Sequence, residues 1–223
     1  MEVNKPYVET LEIAGFAAAL KAMRLPMKSG DKGDSYTTGV FFPNVDDLGY
    51  ATQLAYNDGY SNFPEIHIGT KDLDLLQKLI RSGDEHAKAV RGIIVWAEFN
   101  MPRYIWSELD TYTIGMTQLS SESTMHCEAK GLSGEELVQF KKDLKEGHMQ
   151  KRIRAFGYQS LRHIYFQRKN HRLPIWREVI IPWIESLPLA KEFITVNPWW
   201  QDKIDELELK VENLQYKLRE EQN

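Results

Sequence analysis

Two stretches, residues 100–126 (NMPRYIWSELDTYTIGMTQLSSESTMH) and 160–178 (SLRHIYFQRKNHRLPIWRE), set Arg, His, Glu, Gln and Ser among aliphatic and aromatic residues with the pattern of buried helices. Each buried polar group left without a partner costs about 1–3 kcal/mol. A chain that carries so many of them therefore has to fold so that the two stretches converge. The convergence predicts a pocket for a polar, anionic ligand.

The 223 residues can bury a full core as one domain with a short appended element. Lys and Arg total 28 against 32 Asp and Glu, a formal net charge of −4, which argues against a broad grip on long nucleic acid. A local basic pocket is compatible with that balance. The single cysteine, Cys127, cannot form an internal disulfide and lacks the companions of a zinc site. No apolar run reaches the length of a membrane span, and the polar start MEVNKPYVET does not resemble a signal peptide, so a cytoplasmic protein is expected.

Residues 10–22 read as a first helix, with Gly15 inside it. A Gly-rich loop follows at 25–39, either an ordinary surface loop or a phosphate cradle without Walker spacing. The aromatic stretch 40–64 reads as irregular cover or short strands. Leu73, Leu76, Leu79 and Ile80 place a helix over 71–81, stopped by Ser82-Gly83. The run IIVWAEF (93–99) predicts a strand, and Pro102 opens a helix to about 113. A Ser-rich loop at 118–124, a charged helix at 134–145 and a long helix at 149–168 come next. Pro174 opens a further helix that Pro182 should kink or end. In the tail, Ile204, Leu207, Val211, Leu214 and Leu218 alternate at spacings of three and four, the seam of a short coiled coil or a helix packed on its own domain.

The polar set comprises Arg103, Glu108, Ser121, Glu122, Ser123, His126, Arg162, His163, Gln167, Arg168, His171 and Arg177. Arginine forks and serine hydroxyls suit a phosphate, and glutamine can pair with a base edge. Each histidine taken alone is more often structural than catalytic. Trp96, Trp106, Trp176 and Trp183 read as core. No Gly-x-Ser-x-Gly elbow, catalytic Cys motif or His-Glu-x-x-His spacing is present, and no metal is expected.

The order Leu79-Ile80…His86, strand, Pro-Arg, helix, Ser-Glu-Ser loop, then SLRHIYFQRKNHRLPIWRE resembles the flavin-dependent thymidylate synthases over about residues 79–187. Ser160, Leu161, His163, Arg168, His171 and Arg177 nearly follow the pattern of the family's later helix. Where the family carries an Arg-His-Arg triplet that helps hold flavin, this chain has Thr111-Tyr112-Thr113. After Glu122 and Ser123 it has Thr124-Met125-His126 in place of the family's arginine.

The resemblance implies an α+β mixed helix/sheet domain over 1–198 with a C-terminal coiled-coil helix over 199–223. It implies a homotetramer that methylates dUMP or a related pyrimidine nucleotide with methylenetetrahydrofolate, FAD and NADPH. By the same resemblance, Ser123 and Arg177 would be catalytic. Substrate would be held by Arg103, Glu108, Ser120, Ser121, Glu122, Ser123, Gln167, Arg168 and Arg177. Flavin would meet His86, Tyr112, His126, Arg162, His163, Asn170 and His171. The missing triplet raises two alternatives: a noncatalytic nucleotide-binding relative that serves as sensor, sequestering protein or scaffold, and a synthase for another pyrimidine with Tyr112 stacked on a differently seated flavin.

Overall fold

The computed structural model describes residues 5–38 and 65–196, together with positions 203, 206, 207, 210 and 211. The aromatic stretch 40–64 and most of the proposed coiled-coil seam lie outside the described residues. Of that seam, Leu207 and Val211 are exposed, and Glu206 pairs with Lys203 and Lys210.

Four strands form an antiparallel sheet in the order β1 (Tyr7–Ala14), β4 (Ile94–Pro102), β6 (Met149–Gly157), β5 (Met116–Ser121). A separate two-stranded ribbon pairs β2 (Tyr36–Thr38) with β3 (Glu65–His67). Helices α1 (Phe16–Arg24), α2 (Thr70–Arg81), α3 (Arg103–Leu109), α4 (Gly134–Asp143), α5 (Tyr158–Arg168), α6 (Ile181–Ser186) and α7 (Ala190–Phe193) complete the described elements. No described helix is long and apolar enough to cross a membrane.

The sheet's registers explain where the core sits. Opposed residues of paired strands share a face, so Val95, Ala97 and Phe99 of β4 lie on the same side as Phe156, Arg154 and Arg152 of β6. The apolar end of that side packs under Trp183, whose ring lies 5.1 Å from that of Phe99 and whose indole N–H donates to Thr10 Oγ1 at 2.9 Å. Toward β5 the same side turns polar, with Arg152, Arg154 and Gln118, and Trp106 of α3 covers it.

The predicted strand at 93–99 and the helices at 71–81 and 134–145 are present with small changes of boundary. Several expectations need correction. The first helix begins at Phe16, because residues 7–14 pair with β4 as an edge strand and Gly15 turns the chain at φ 101°. The helix opened by Pro102 ends at Leu109, where Asp110 caps it with bonds to the Glu108 and Trp106 carbonyls.

The long helix at 149–168 is two elements. Residues 149–157 form a strand between β4 and β5, and Gly157 is the N-cap of α5, its N–H bonded to Gly115 O at 2.8 Å. The Ser-rich loop at 118–124 is for half its length strand β5, with a bulge between Gln118 and Ser120. Pro182 does not end its helix. A π-helical turn at Trp176–Ile180 precedes it, and the Ile181 N–H reaches back to Trp176 O. That extra residue shifts the ladder where proline, lacking an N–H, would otherwise break it.

The Gly-rich loop at 25–39 is tied down from within the fold. Arg24 Nε donates to Asp72 Oδ1 at 2.5 Å, and the Asp34 and Ser35 N–H groups reach Asp72 Oδ2 at 3.1 and 2.9 Å. Burial acts to raise the Asp72 pKa, but hydrogen bonds from Ser35 and Arg24 outweigh it and hold the carboxyl below the usual aspartate range. Because the folded-state pKa is depressed, this stabilisation is complete above the unfolded pKa of about 3.9 and is lost as pH falls through the folded value. Asp72→Asn should therefore cost about 2 kcal/mol at pH 7 and progressively less as the pH is lowered through the folded value. Melting temperatures of the two proteins across that range test it.

Candidate functional site

Many of the residues expected to surround one ligand fall into three places, and the others lie apart from them. In the first, Glu108 on α3 accepts from Arg168 Nη1 at 2.9 Å and from the Trp176 indole N–H at 2.8 Å. Arg168 Nε donates to the Tyr112 hydroxyl at 2.7 Å, which itself donates to Gln167 Oε1 at 3.0 Å. The guanidinium stacks over the Tyr112 and Trp176 rings, 5.5 and 4.9 Å from their centroids, and its Nη1 lies 2.8 Å from His171 Nε2. Glu108, Gln167, Arg168 and His171 thus converge, joined by Tyr112, but largely on one another. Tyr112 packs edge-on against Trp176, so its ring belongs to this network.

The second place is a cavity of about 840 Å³ between α5 and the turn that follows α2. Ile80 and Phe166 give it apolar wall, and Arg162, His163, Lys169 and Asn170 give it donors. His163 Nε2 lies 2.6 Å from Asp84 Oδ2. Arg162 is buried, donates through Nη1 to the Ile194 and Val196 carbonyls at 2.8 and 2.5 Å, and has its pKa lowered by burial. Of the seven residues expected to hold flavin, Arg162, His163 and Asn170 line this cavity. Its size lies within the range of small-molecule sites, and its mixture of aromatic surface and donors fits a flat, polar ring system. His86 is exposed beside Glu85 at 3.6 Å. His126 is exposed, with its N–H donating to Ser123 O at 3.2 Å.

The third place is a basic recess of about 320 Å³ lined by Arg103, Thr124, Lys141, His148, Gln150 and Arg152. Helix α3 supplies Arg103, α4 supplies Lys141, and the strap between α4 and β6 supplies His148. Their positions are fixed by backbone bonds: the Arg103 N–H donates to His148 O at 3.0 Å, and the Tyr104 N–H to Glu146 O at 3.2 Å. Lys141 donates to the Thr124 hydroxyl. Arg152 lies over the Trp106 ring at 4.4 Å and donates through Nη1 to Asp110 Oδ2 and Gln118 Oε1, both at 3.2 Å. Burial lowers its pKa, and Asp110 opposes that shift. The neighbouring Arg154, 1% exposed, shares Asp110 and Gln118, and its Nε is the one buried side-chain nitrogen or oxygen without a partner among the described residues.

Of the proposed Ser-Glu-Ser segment, Ser120 and Ser121 are exposed on the edge strand. The Glu122 carboxylate accepts the Lys151 N–H at 2.8 Å and its own N–H donates to Lys151 O at 2.9 Å, closing the end of the β5–β6 pair. Ser123, half-buried, accepts the His126 and Cys127 N–H groups on its carbonyl and leads into Thr124 of the recess. Arg177 is exposed on the π-helical turn and lines neither recess.

Lys141, His148, Arg152 and Arg154 were not singled out from the sequence. The alternation Gln150, Arg152, Arg154 is the available signal, and a helical reading of 149–168 hides it. Among the described residues no three His, Cys, Asp or Glu side chains form a metal-binding group.

No family model matches the chain, and no curated protein matches it. Solved structures do. A flavin-dependent thymidylate synthase, ThyX, from Helicobacter pylori complexed with FAD and dUMP superposes with a TM-score of 0.58 at 13% identity, covering 85% of this chain and 98% of that one. A second ThyX structure from Helicobacter pylori with FAD and dUMP gives 0.56 at 12% identity, covering 86% and 98%. A UMP/dUMP methylase, PolB, from Streptomyces cacaoi bound with 5-Br dUMP gives 0.49 at 13%, covering 87% and 96%. The α+β arrangement of this chain is the fold of the flavin-dependent thymidylate synthase.

Proposed function

We propose that the protein binds a pyrimidine nucleoside monophosphate such as dUMP and methylates it in a flavin-dependent reaction. The observation that carries this reading is the meeting of Arg103, Lys141, His148 and Arg152 in one recess, on a chain with the fold of an enzyme solved with FAD and dUMP. Planar guanidinium groups and an ammonium around a small recess suit a terminal phosphate, and Thr124 adds a neutral hydroxyl.

In this reading the phosphate sits in the basic recess, with Ser123 beside it. Arg162, His163 and Asn170 would hold FAD along the larger cavity. Flavin, reduced by NADPH, supplies the redox and one-carbon chemistry from methylenetetrahydrofolate that side chains cannot. The protein's part is to neutralise the phosphate, orient the base and keep water out. The Glu108–Arg168–Tyr112 network fixes α3 against α5, and so holds the two recesses in register. In a homotetramer, exposed Arg177 would reach the site of a neighbouring subunit.

The closure of that network favours a second reading. Tyr112 and Arg168 satisfy each other where a cofactor grip was expected, as suits a noncatalytic nucleotide-binding sensor, sequestering protein or scaffold.

Purified protein is expected to show flavin absorption, or a spectral change on adding FAD, and to convert dUMP to thymidylate with methylenetetrahydrofolate and NADPH. Absence of flavin bands, spectral change and product removes the synthase reading. Stabilisation by dUMP without turnover leaves the second one. Arg103→Met and Lys141→Met should each weaken dUMP about tenfold, the effect of losing one charged hydrogen bond, as read by calorimetry.

A further inference from the structure

Resting on the placement of a phosphate in the basic recess, we propose that His148 makes this recess selective for dianionic phosphate monoesters by taking up a proton as the ligand binds. The imidazole lines the recess, and its side chain is 24% exposed. Its Nε2 lies 3.3 Å from Glu128 Oε1, and its backbone is held by its own N–H to Lys145 O at 2.9 Å and by the Arg103 N–H on its carbonyl. The ring is therefore presented to the recess by a fixed strap.

The charges around it come from every neighbouring element. Arg103 faces it from α3, Lys141 from α4 and Arg152 from β6, while Glu128 approaches from the turn 124–131. Lys145 and Glu146 flank it on the strap itself, and Glu146 lies 3.9 Å from Arg103. With a neutral imidazole, the Glu128 carboxylate stands uncompensated at the edge of the recess and opposes an anion. With an imidazolium, the ring's charge offsets that of Glu128 and the net positive charge around the recess rises by one. A dianion gains twice the Coulomb energy of a monoanion from that added charge. Protonation of His148 thus separates a monoester, such as a nucleoside monophosphate, from a phosphodiester. Histidine is the side chain whose charge ordinarily changes between pH 5 and 8.

The sign of the pH dependence follows. The bound anion favours the imidazolium, so affinity is greatest at low pH and falls as the ring loses its proton. A phosphate monoester's own second ionisation, near pH 6, acts in the opposite sense. Sulfate, which stays dianionic throughout, isolates the protein's contribution.

Calorimetric titration of the full chain with sulfate and with dUMP from pH 5.5 to 8.5, in buffers of differing ionisation enthalpy, tests this. Sulfate should weaken about tenfold over the range with net proton uptake, dUMP should bind best at an intermediate pH, and His148→Gln should bind sulfate weakly and independently of pH. Glu128→Gln should move the sulfate midpoint to lower pH. Sulfate affinity that is flat with pH in the wild type, or equally pH-dependent in a folded His148→Gln protein, overturns the role of His148 while leaving the nucleotide reading intact. Failure of both ligands to bind at every pH overturns the nucleotide reading and this one together.

Discussion

Gly15→Ala should unfold the protein or lower its stability by about 4 kcal/mol, roughly 8–16 °C in melting temperature for a chain of this size. Gly15 joins β1 to α1 at φ 101°, a conformation that L side chains rarely adopt, and its carbonyl accepts the Ala19 N–H that starts the helix. A Cβ there would stand 1.8 Å from Gly92 O and 2.8 Å from Gly92 C. Both obstructing atoms are backbone in the 88–92 turn, which packs beside α1, so no side-chain rotation relieves the clash. Gly30→Ala is the control. Nothing lies within 4 Å of its would-be Cβ, and stability should change by less than about 0.5 kcal/mol. Thermal unfolding of both variants, followed by circular dichroism, checks the contrast.

Glu108→Ala should cost about 3 kcal/mol. One carboxylate oxygen accepts both the Arg168 guanidinium and the Trp176 indole N–H. Removing it strands a largely buried cation between two aromatic rings and leaves the N–H of a fully buried tryptophan without its partner. Glu108→Gln keeps an acceptor and should lose less. An additional Arg168→Met change should recover part of the loss, because the stranded charge then disappears. The double-mutant cycle, measured by denaturant unfolding, should give a coupling above about 1 kcal/mol. Additive effects would show that the network does not act as a unit.

The legibility of the chain in its sequence varied with the physical origin of each element. Helix α2 and strand β4 are set by their own apolar spacing, and both are where the pattern puts them. Strand β6 was obscured because its side facing the helices carries Arg152 and Arg154 in place of apolar residues, so the alternation has no hydrophobic contrast. Those arginines are tolerated there because Asp110, Gln118 and the face of Trp106 receive them, partners supplied by segments more than thirty residues away. Strand β5 has almost no buried side chains and exists through its pairing with β6, a tertiary cause that a local reading of a Ser-rich segment does not show.

The site divided similarly. That Glu108, Gln167, Arg168 and His171 meet was legible from the excess of polar groups among apolar residues, whereas the part of Tyr112 in joining them was not. Their mutual satisfaction was not, because it depends on the angle at which α5 and the π-helical turn meet α3. The basic recess draws on α4 and the strap after it, whose Lys141 and His148 sit in stretches that read as ordinary charged surface.

On the proposed reading, a pyrimidine nucleotide places its phosphate among Arg103, Lys141, His148 and Arg152. The most direct test is calorimetric titration of dUMP into the wild type and into the Arg103→Met/Lys141→Met double variant at low salt. Saturable binding to the wild type is expected, with a loss of about a hundredfold in the double variant, two charged contacts at about tenfold each, and an unchanged melting temperature for the unliganded protein. Equal affinity in the two proteins, or no binding of dUMP to either, would contradict it.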